Sequence, residues 1–284
     1  MAYLKSRTLF FTTSPRTPVK MIPEIKVLSE CFEGQKWNTD TQVEFIRKLA
    51  ESNEFEGTGS AKEMAFSARD RINRAPKALG FVDLKPVIKL TEPGKRLISE
   101  KRTEEVILRQ LLKFQLPSPY HKEPEQFKGN FGVKPYLEIF RLIYQLGTIS
   151  FDELMIFGMQ LTHYEKFGQI VEDIKRFRRV KAYQKASYKA FRGEYLRREI
   201  EKIYYNDIVE GNTKTRESRD KSVDKFVRTK ASNMRDYADA CFRYLRATGL
   251  VEISQRGHSI SIMPEKKKEV EFFLENIDRK PCVY

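Results

Sequence analysis

Two segments of the sequence combine arginine, lysine, asparagine and aspartate at spacings that bring these side chains to one side of a helix. Their members are Asp70, Asn73, Arg74 and Lys77 in the first segment, and Ser232, Asn233, Arg235 and Asp236 in the second. Guanidinium forks, amides and carboxylates pair with base edges in the major groove of DNA. The two faces are therefore candidates for reading bases. The ordinary alternative is a solvated face whose charges form ion pairs within the protein.

A second group of residues offers only positive charge. The 284 residues include 53 Lys and Arg against 39 Asp and Glu, and the stretch 171–235 holds 19 basic and 10 acidic residues. No acid occurs between Ile174 and Gly193, where Tyr183, Tyr188 and Phe191 alternate with basic residues. Such a density of one charge favours a polyanion as partner, nucleic acid before anionic lipid. The side chains predicted to bind phosphate are Arg7, Lys62, Arg69, Lys175, Arg178, Arg179, Lys181, Lys185, Lys225 and Arg228.

The amino-terminal segment 1–22 has the composition of a DNA-binding arm, with four basic residues and no acid. Arms of this kind reach along a groove and become ordered only on binding. We expect Arg16 and Lys20, which lie nearest the first predicted helix, to contact bases. A frayed terminus is the ordinary alternative.

The elements that must position these residues are mostly helical. Four sites have the capping-box pattern of a hydroxyl residue followed three positions later by glutamate, which marks the start of a helix. These sites begin at Thr41, Ser60, Ser150 and Thr162. Four prolines and two glycines between Leu116 and Pro135 interrupt the helical pattern and indicate an irregular connection.

One arrangement occurs twice. A long helix containing an Arg-Asp pair ends near a glycine, Gly80 or Gly249, and is followed by two short segments with alternating apolar residues. A helix followed by a two-stranded hairpin is the second half of a winged helix. We therefore predict a mainly α-helical chain with small β wings. It would comprise an arm at 1–22, a first winged helix at 23–100, a linking subdomain at 101–134, and a second winged helix with a basic helical insertion at 135–284.

The sequence contains no constellation that supports catalysis. Its three Cys and three His residues are far apart, and it has no glycine-rich phosphate loop, nucleophile motif or converging carboxylates. We expect no metal, cofactor or small-molecule ligand for this chain, and catalysis by the chain alone is not predicted. The lack of a long apolar run or a signal-peptide pattern favours a cytoplasmic protein without membrane contact.

Several blocks of the sequence resemble the recognition region of type IIS restriction and nicking endonucleases related to BstNBI, MlyI and PleI. The blocks are Ser14–Lys20, Ala65–Arg71, Leu90–Lys95, Ala238–Tyr244 and Thr248–Leu250. In length and basic balance the chain is also similar to the isolated recognition domain of BpuJI. The resemblance implies that winged-helix subdomains read an asymmetric duplex site, while a separate nuclease domain that requires Mg²⁺ cuts at a distance. This chain then corresponds to the recognition part, without the nuclease.

These observations lead to one main hypothesis and three alternatives. We expect a monomer that binds an asymmetric double-stranded DNA site, because the two reading faces differ in sequence and a palindrome would suit a symmetric dimer. The first alternative is a transcriptional regulator with tandem winged helices, which would need a dimerisation or effector surface. The second is a self-sufficient nuclease, and the third is an RNA-binding module, for which no common RNA-binding pattern is present.

Overall fold

The computed structural model describes residues 2–52, 60–99, 101–185, 187–215, 220–254 and 257–283. The chain is mainly helical with small β-sheets, as predicted. The helices are α1 (Met21–Phe32), α2 (Thr39–Glu51), α3 (Ala61–Ile72), α4 (Ala75–Ala78), α5 (Glu92–Ser99), α6 (Thr103–Lys113), α7 (Pro135–Leu146), α8 (Phe151–Ile156), α9 (Phe167–Tyr183), α10 (Tyr188–Ile203), α11 (Tyr205–Val209), α12 (Val223–Arg246) and α13 (Lys267–Asn276). The strands are β1 (Ala2–Tyr3), β2 (Val82–Asp83), β3 (Lys89–Leu90), β4 (His121–Lys122), β5 (Thr148–Ser150), β6 (Val251–Ile253) and β7 (Ser259–Ile262).

The strands form three small sheets within the described residues. β1 pairs in parallel with β4, and β2 pairs antiparallel with β3. The third sheet has the order β5-β7-β6, and both pairings in it are antiparallel. Ile260 in the central strand lies opposite Ile149 on one side and Ile253 on the other. Ile149 and Ile260 are fully buried, so one face of this sheet contributes to a core.

The chain forms two compact units. The small unit consists of Thr12–Phe114 and Arg243–Gly249, and the large unit of Met1–Phe11, Gln115–Phe242 and Leu250–Tyr284. Each unit contains its own buried apolar residues: Phe45 and Ile72 are examples in the small unit, Phe140 and Phe177 in the large one. The four segments expected from the sequence stay a prediction.

The first residues of the large unit are packed into its core. Leu4, Leu9 and Phe11 are buried, and the Leu9 N–H donates to the Met159 carbonyl oxygen at 2.7 Å. The Phe11 ring also meets the ring of Tyr136 edge to face. The expectation that the basic amino-terminal segment becomes ordered only on binding is therefore wrong for residues 4–11, because its apolar side chains are part of this core.

Two of the four predicted capping boxes are present. Ser60 and Ser150 each accept the backbone N–H of the glutamate three positions later, and that glutamate accepts the backbone N–H of the serine. The predictions at Thr41 and Thr162 are wrong. Asn38 caps α2, with its Oδ1 accepting the Thr41 N–H at 2.9 Å, and α9 begins five residues after Thr162.

The two helices that carry the Arg-Asp pairs differ in continuity. α12 runs without a break over 24 residues, whereas the corresponding helix in the small unit is divided into α3 and α4. Pro76 explains the division, because proline has no N–H to donate to the carbonyl oxygen of Ile72. Glycines with positive φ follow both regions, Gly80 at 74° and Gly249 at 67°, in a conformation that other residues rarely adopt. A two-stranded hairpin follows each glycine, β2 with β3 and β6 with β7.

Candidate nucleic-acid interface

We call Asp70, at the end of α3, together with Asn73, Arg74 and Lys77, which follow it, the α3 face. Several of these side chains are already held by partners within the small unit. Arg74 forms an ion pair with Asp70, one turn earlier, and its Nη1 donates to the Thr13 hydroxyl at 3.2 Å. The Oδ1 of Asn73 accepts the indole N–H of Trp37 at 2.8 Å. These contacts restrict the rotamers of two predicted base-reading residues in the protein alone.

The basic residues beside this face have different environments. Arg69 donates from Nη1 to the Gln42 Oε1 at 2.7 Å, which ties α3 to α2. Lys62 is exposed in the first turn of α3. Lys77 is half-buried, and burial, assisted by the charge of Lys85, holds the pKa of its ammonium below the ordinary value. Lys62 is thus the most accessible of the three cations to a phosphate.

Arg16 and Lys20 also belong to the small unit and are exposed. The segment that carries them is anchored on both sides of Arg16. Pro15 and Pro18 are buried, and the hydroxyl of the buried Tyr244 donates to the Pro15 carbonyl oxygen at 3.2 Å. A fixed backbone therefore presents these two basic side chains to solvent.

The outer face of α12 is open. Ser232, Arg235 and Asp236 are exposed and Asn233 is half-buried, and none of the four side chains makes a hydrogen bond or ion pair with another described residue. On the other side of the helix Met234 and the residues that follow it at helical spacing are buried. The helix is therefore held by its apolar side, while its polar side remains accessible.

The first turns of α12 carry two further residues predicted to bind phosphate. Lys225 forms an ion pair with Asp220, and Arg228 is exposed without a partner in the described part of the chain. Arg197 on α10 pairs with Asp224 at 2.8 Å, so the start of α12 is linked to α10. Arg228 is the freer of the two predicted phosphate ligands.

We call α9, α10 and the residues between them the basic hairpin. Arg178 lies on the inner side of this hairpin, where its Nε and Nη2 donate to the two carboxylate oxygens of Glu153 at 2.8 and 2.9 Å. Its Nη2 also donates to the Thr148 carbonyl oxygen at 2.6 Å. Burial alone would raise the pKa of Glu153, but hydrogen bonds from Arg178 and Ser150 and the charge of Arg178 hold it below its usual value. Arg178 therefore fastens the hairpin to α8.

Two aromatic residues of the basic run complete this inner side. The Tyr188 hydroxyl donates to Asp152 at 2.6 Å, and burial together with this hydrogen bond raises the pKa of Tyr188. Arg192 pairs with Asp152 at 3.4 Å. The Phe191 ring stacks on the buried Phe177 with centroids 5.5 Å apart. Tyr188 and Phe191 thus hold α9 and α10 in place.

The outer side of the basic hairpin keeps most of the charge accessible. Arg179 and Lys185 are exposed, and neither has a hydrogen-bond or ion-pair partner among the residues that the structure describes. Lys175 pairs with Glu172 at 2.8 Å, and the Lys181 ammonium lies 4.4 Å from the centroid of the Tyr188 ring. Tyr183, at the end of α9, is 86% exposed.

Arg7 is the remaining residue predicted to bind phosphate. It is half-buried, its Nε is 2.5 Å from the Asp207 carboxylate, and its guanidinium lies over the Phe127 ring. The hydrogen bond from this guanidinium to Asp207 raises the pKa of Arg7. In the large unit, Arg7 and Arg178 therefore already have carboxylate partners.

Sequence analysis missed the residues that orient the α3 face. Trp37 and Thr13 lie 36 and 61 residues from the side chains they hold, Asn73 and Arg74. The one available signal was that Trp37 is the only tryptophan in the sequence. Such partners depend on tertiary packing, which spacing along the chain does not reveal.

Neither a metal site nor a membrane span is present in the described part of the chain. No group of three or more His, Cys, Asp or Glu residues there is arranged to hold a metal ion. No helix in the same ranges has the length and apolar character needed to cross a bilayer.

Comparison with solved structures identifies a similar fold in an endonuclease binding domain. The matching structure is described as the crystal structure of pyrene- and phenanthrene-modified DNA in complex with the BpuJ1 endonuclease binding domain. The TM-score is 0.59 at 12% sequence identity, and the match covers 92% of this chain and 82% of that chain. Residues 77–282 match the model of the AlwI restriction endonuclease family, and the chain belongs to this family. The resemblance to restriction endonucleases is thereby confirmed, while a search of curated protein sequences found no match.

Proposed function

We propose that this chain is the DNA-recognition domain of a type IIS restriction endonuclease. The observation that carries the proposal is the open polar face of α12, in the same unit as the basic hairpin. Four side chains able to pair with base edges have no partner within the described protein, while their helix is anchored by its apolar side. Membership of the AlwI family and the fold shared with a binding domain crystallised on DNA support it.

The proposal divides the residues into two roles. Three groups of side chains read bases in the major groove: Asp70, Asn73, Arg74 and Lys77 around the end of α3, the polar residues on the outer face of α12, and Arg16 and Lys20. Arginine and lysine prefer guanine, asparagine prefers adenine and aspartate prefers cytosine. Exposed cations of the basic hairpin, together with Lys62 and Arg228, bind phosphates. Phosphate contacts contribute affinity and position the protein, but they do not select a sequence.

The finer architecture belongs to the same proposal. α3 with β2 and β3, and α12 with β6 and β7, would form the reading helix and wing of two winged helices. Because the polar faces of the two helices differ in sequence, the target is asymmetric and is bound by a monomer. In this proposal phosphodiester cleavage belongs to a separate nuclease domain that uses Mg²⁺, as the resemblance to type IIS endonucleases implies.

Selection of bound duplexes from a random pool tests the proposal. We expect one enriched sequence without two-fold symmetry, bound by one copy of the chain in gel filtration. A palindrome bound by a dimer that is stable without DNA would instead identify a transcriptional regulator. Cleavage of plasmid DNA in the presence of Mg²⁺, abolished by an Asp or Glu to Ala change in this chain, would contradict the separation of recognition from cutting.

A further inference from the structure

The end of the basic hairpin carries an aromatic side chain that the protein core does not use. At 86%, Tyr183 is the most exposed aromatic residue in the described ranges. Val180, three residues earlier and 44% exposed, lies on the same face of α9. We call Val180, Tyr183, Arg179, Lys181 and Lys185 the hairpin tip. One exposed apolar residue alone is ordinary in a folded protein, so the inference depends on what surrounds it.

Positive charge surrounds this apolar pair. No acidic residue occurs between Ile174 and Gly193. Arg179 and Lys185 make no hydrogen bond or ion pair in the described part of the chain, although the charge of Arg179 acts on Glu172. Lys181 is near Tyr183 in sequence, and its ammonium lies over the Tyr188 ring. An apolar group flanked by exposed cations complements the sugar-phosphate edge of a nucleic acid, where deoxyribose offers apolar surface between phosphates.

Tyr183 also differs from the other aromatic residues of the same run. Tyr188 donates to Asp152, and Phe191 stacks on Phe177, so both stabilise the hairpin. Tyr183 has no hydrogen bond or ring contact within the residues that the structure describes. Tyr183 therefore makes no visible contribution to the packing of the large unit.

The hairpin tip is separated from the start of α12. Arg197, which pairs with Asp224 in the first turn of α12, lies nine residues along α10 from its first residue, Tyr188. At a rise of about 1.5 Å per residue this amounts to about 14 Å, or roughly four base pairs. A contact at the tip would thus reach DNA at a place distinct from that met by the first turn of α12.

We propose that the hairpin tip binds the sugar-phosphate backbone of duplex DNA, with the Tyr183 ring against deoxyribose and with Arg179 and Lys185 at phosphates. This inference rests on the proposed DNA-binding function and adds to it a contact that does not depend on base sequence. Because the ring carries no charge, its contribution differs from that of the cations: it affects affinity without releasing counterions.

The test compares Tyr183→Ala with Tyr183→Phe and with Tyr205→Ala, a matched control on α11 where the tyrosine is 64% exposed. Binding is measured by fluorescence anisotropy on a 30-base-pair random duplex and on the duplex enriched by selection, across a series of salt concentrations. We expect Tyr183→Ala to weaken binding to both duplexes about fivefold to tenfold. The slope of log K against log salt should stay unchanged, whereas Lys185→Gln should reduce its magnitude by about 0.9. Tyr183→Phe and Tyr205→Ala should bind within about twofold of the unmodified chain.

Three results would overturn the inference. If Tyr183→Ala binds like Tyr205→Ala, the tip does not contact DNA, although the recognition function stands as long as the unmodified chain selects a site. If Tyr183→Ala keeps its DNA affinity but loses binding to phosphatidylserine vesicles, the tip is a lipid-binding element. If the unmodified chain binds no duplex, the proposed function itself fails, and the inference fails with it.

Discussion

The outer faces of α3 and α12 present the same types of residue but differ in what holds them. On the α3 face, Asp70 and Arg74 pair with each other and Asn73 is bound by Trp37. On α12, Asn233 and Arg235 have no side-chain partner among the described residues. One face is therefore organised before any ligand binds, and the other is available to adapt to one.

This difference has a physical consequence for binding. Ordering a free, rotamer-rich side chain at an interface costs about 0.5–1.5 kcal/mol, and a side chain already restricted by the protein avoids part of that cost. A restricted side chain is also less able to reorient toward a different base pair. We therefore expect the α3 face to discriminate sharply at few positions and the α12 face to tolerate more variation in its target.

Arg178 and Arg179, neighbours on α9, show the same contrast between a side chain with an ion-pair partner and one without such a partner in the described structure. Replacing Arg178 should have the largest effect that we predict. Arg178 is bound to the buried Glu153, whereas Arg179 is exposed and makes no hydrogen bond or ion pair in the described part of the chain. Replacing Arg178 with alanine leaves a buried carboxylate without its cation and should lower the free energy of unfolding by about 2–4 kcal/mol. Urea denaturation followed by circular dichroism measures this loss.

The matched variant is Arg179→Ala, which removes the same charge one residue away. It should leave the free energy of unfolding within about 0.5 kcal/mol of the unmodified value while weakening all duplexes alike and reducing the salt dependence of binding. If Arg178→Ala and Arg179→Ala lower the free energy of unfolding equally, the contact of Arg178 with Glu153 does not contribute to stability as we expect.

The two reading faces are compared directly by Asn233→Ala and Arg74→Ala. Each should cost about 1–3 kcal/mol of binding free energy on the selected site and relax the preference at one base pair, because one pairing with a base edge is lost. Binding to a panel of duplexes with single base-pair changes measures both effects. A uniform loss on every duplex would instead assign the residue to phosphate binding, and no loss would remove it from the interface.

The units that contain the two faces should also respond differently to acid, since all three histidines lie in the large unit. Burial lowers the pKa of His121 from 6.5 to about 4. Below pH 6.5 the unfolded chain therefore binds a proton that the folded chain does not, and stability decreases as the pH falls toward 4. At pH 5 the expected loss is about 2 kcal/mol.

Urea unfolding of the large unit at pH 7 and pH 5 checks this dependence. His121→Gln is the control that should remove most of it, while His163, whose pKa burial also lowers, contributes the remainder. Trp37, the only tryptophan, reports on the small unit by its fluorescence and should show a smaller change. If His121→Gln retains the full pH dependence, other groups are responsible and the difference between the units has another origin.

The contrast between the two helices also shows how far sequence analysis extends. α12 was predictable because an uninterrupted apolar stripe precedes Gly249, and the observed helix follows that stripe. The division of α3 from α4 was missed although Pro76 signalled it. Repetition of the Arg-Asp pattern in both segments favoured one long helix in each. In the first segment Pro76, which lacks a backbone N–H, divides the helix instead.

The partners of the candidate site residues could not be predicted from the sequence, for a different reason. The sequence pattern placed Asn73 on a polar face and Arg178 in a basic run. It contains no information about Trp37 or Glu153, which are 36 and 25 residues away. Such contacts form only when separate elements pack together. Sequence periodicity therefore predicts which face is polar, whereas tertiary structure decides which polar groups remain free to bind.

The smallest expected effect concerns a residue that orients a base-reading side chain without contacting DNA itself. Trp37→Phe keeps an aromatic ring beside Phe45, which Trp37 meets at a centroid distance of 5.7 Å, but removes the N–H that binds Asn73. Loss of this hydrogen bond should weaken binding to the selected site by about 1 kcal/mol and relax the preference at the base pair that Asn73 reads. Anisotropy on the panel of single-change duplexes measures both effects.

A double-mutant cycle with Asn73→Ala separates orientation from a general disturbance of the small unit. Where Asn73 is absent, Trp37→Phe has nothing left to orient and should produce no further loss of affinity. An equal loss in both backgrounds would mean that the indole acts through stability rather than through Asn73. The α12 face has no such supporting residue in the described structure, so its affinity should depend directly on Ser232, Asn233, Arg235 and Asp236, and the two faces would then discriminate bases by different physical means.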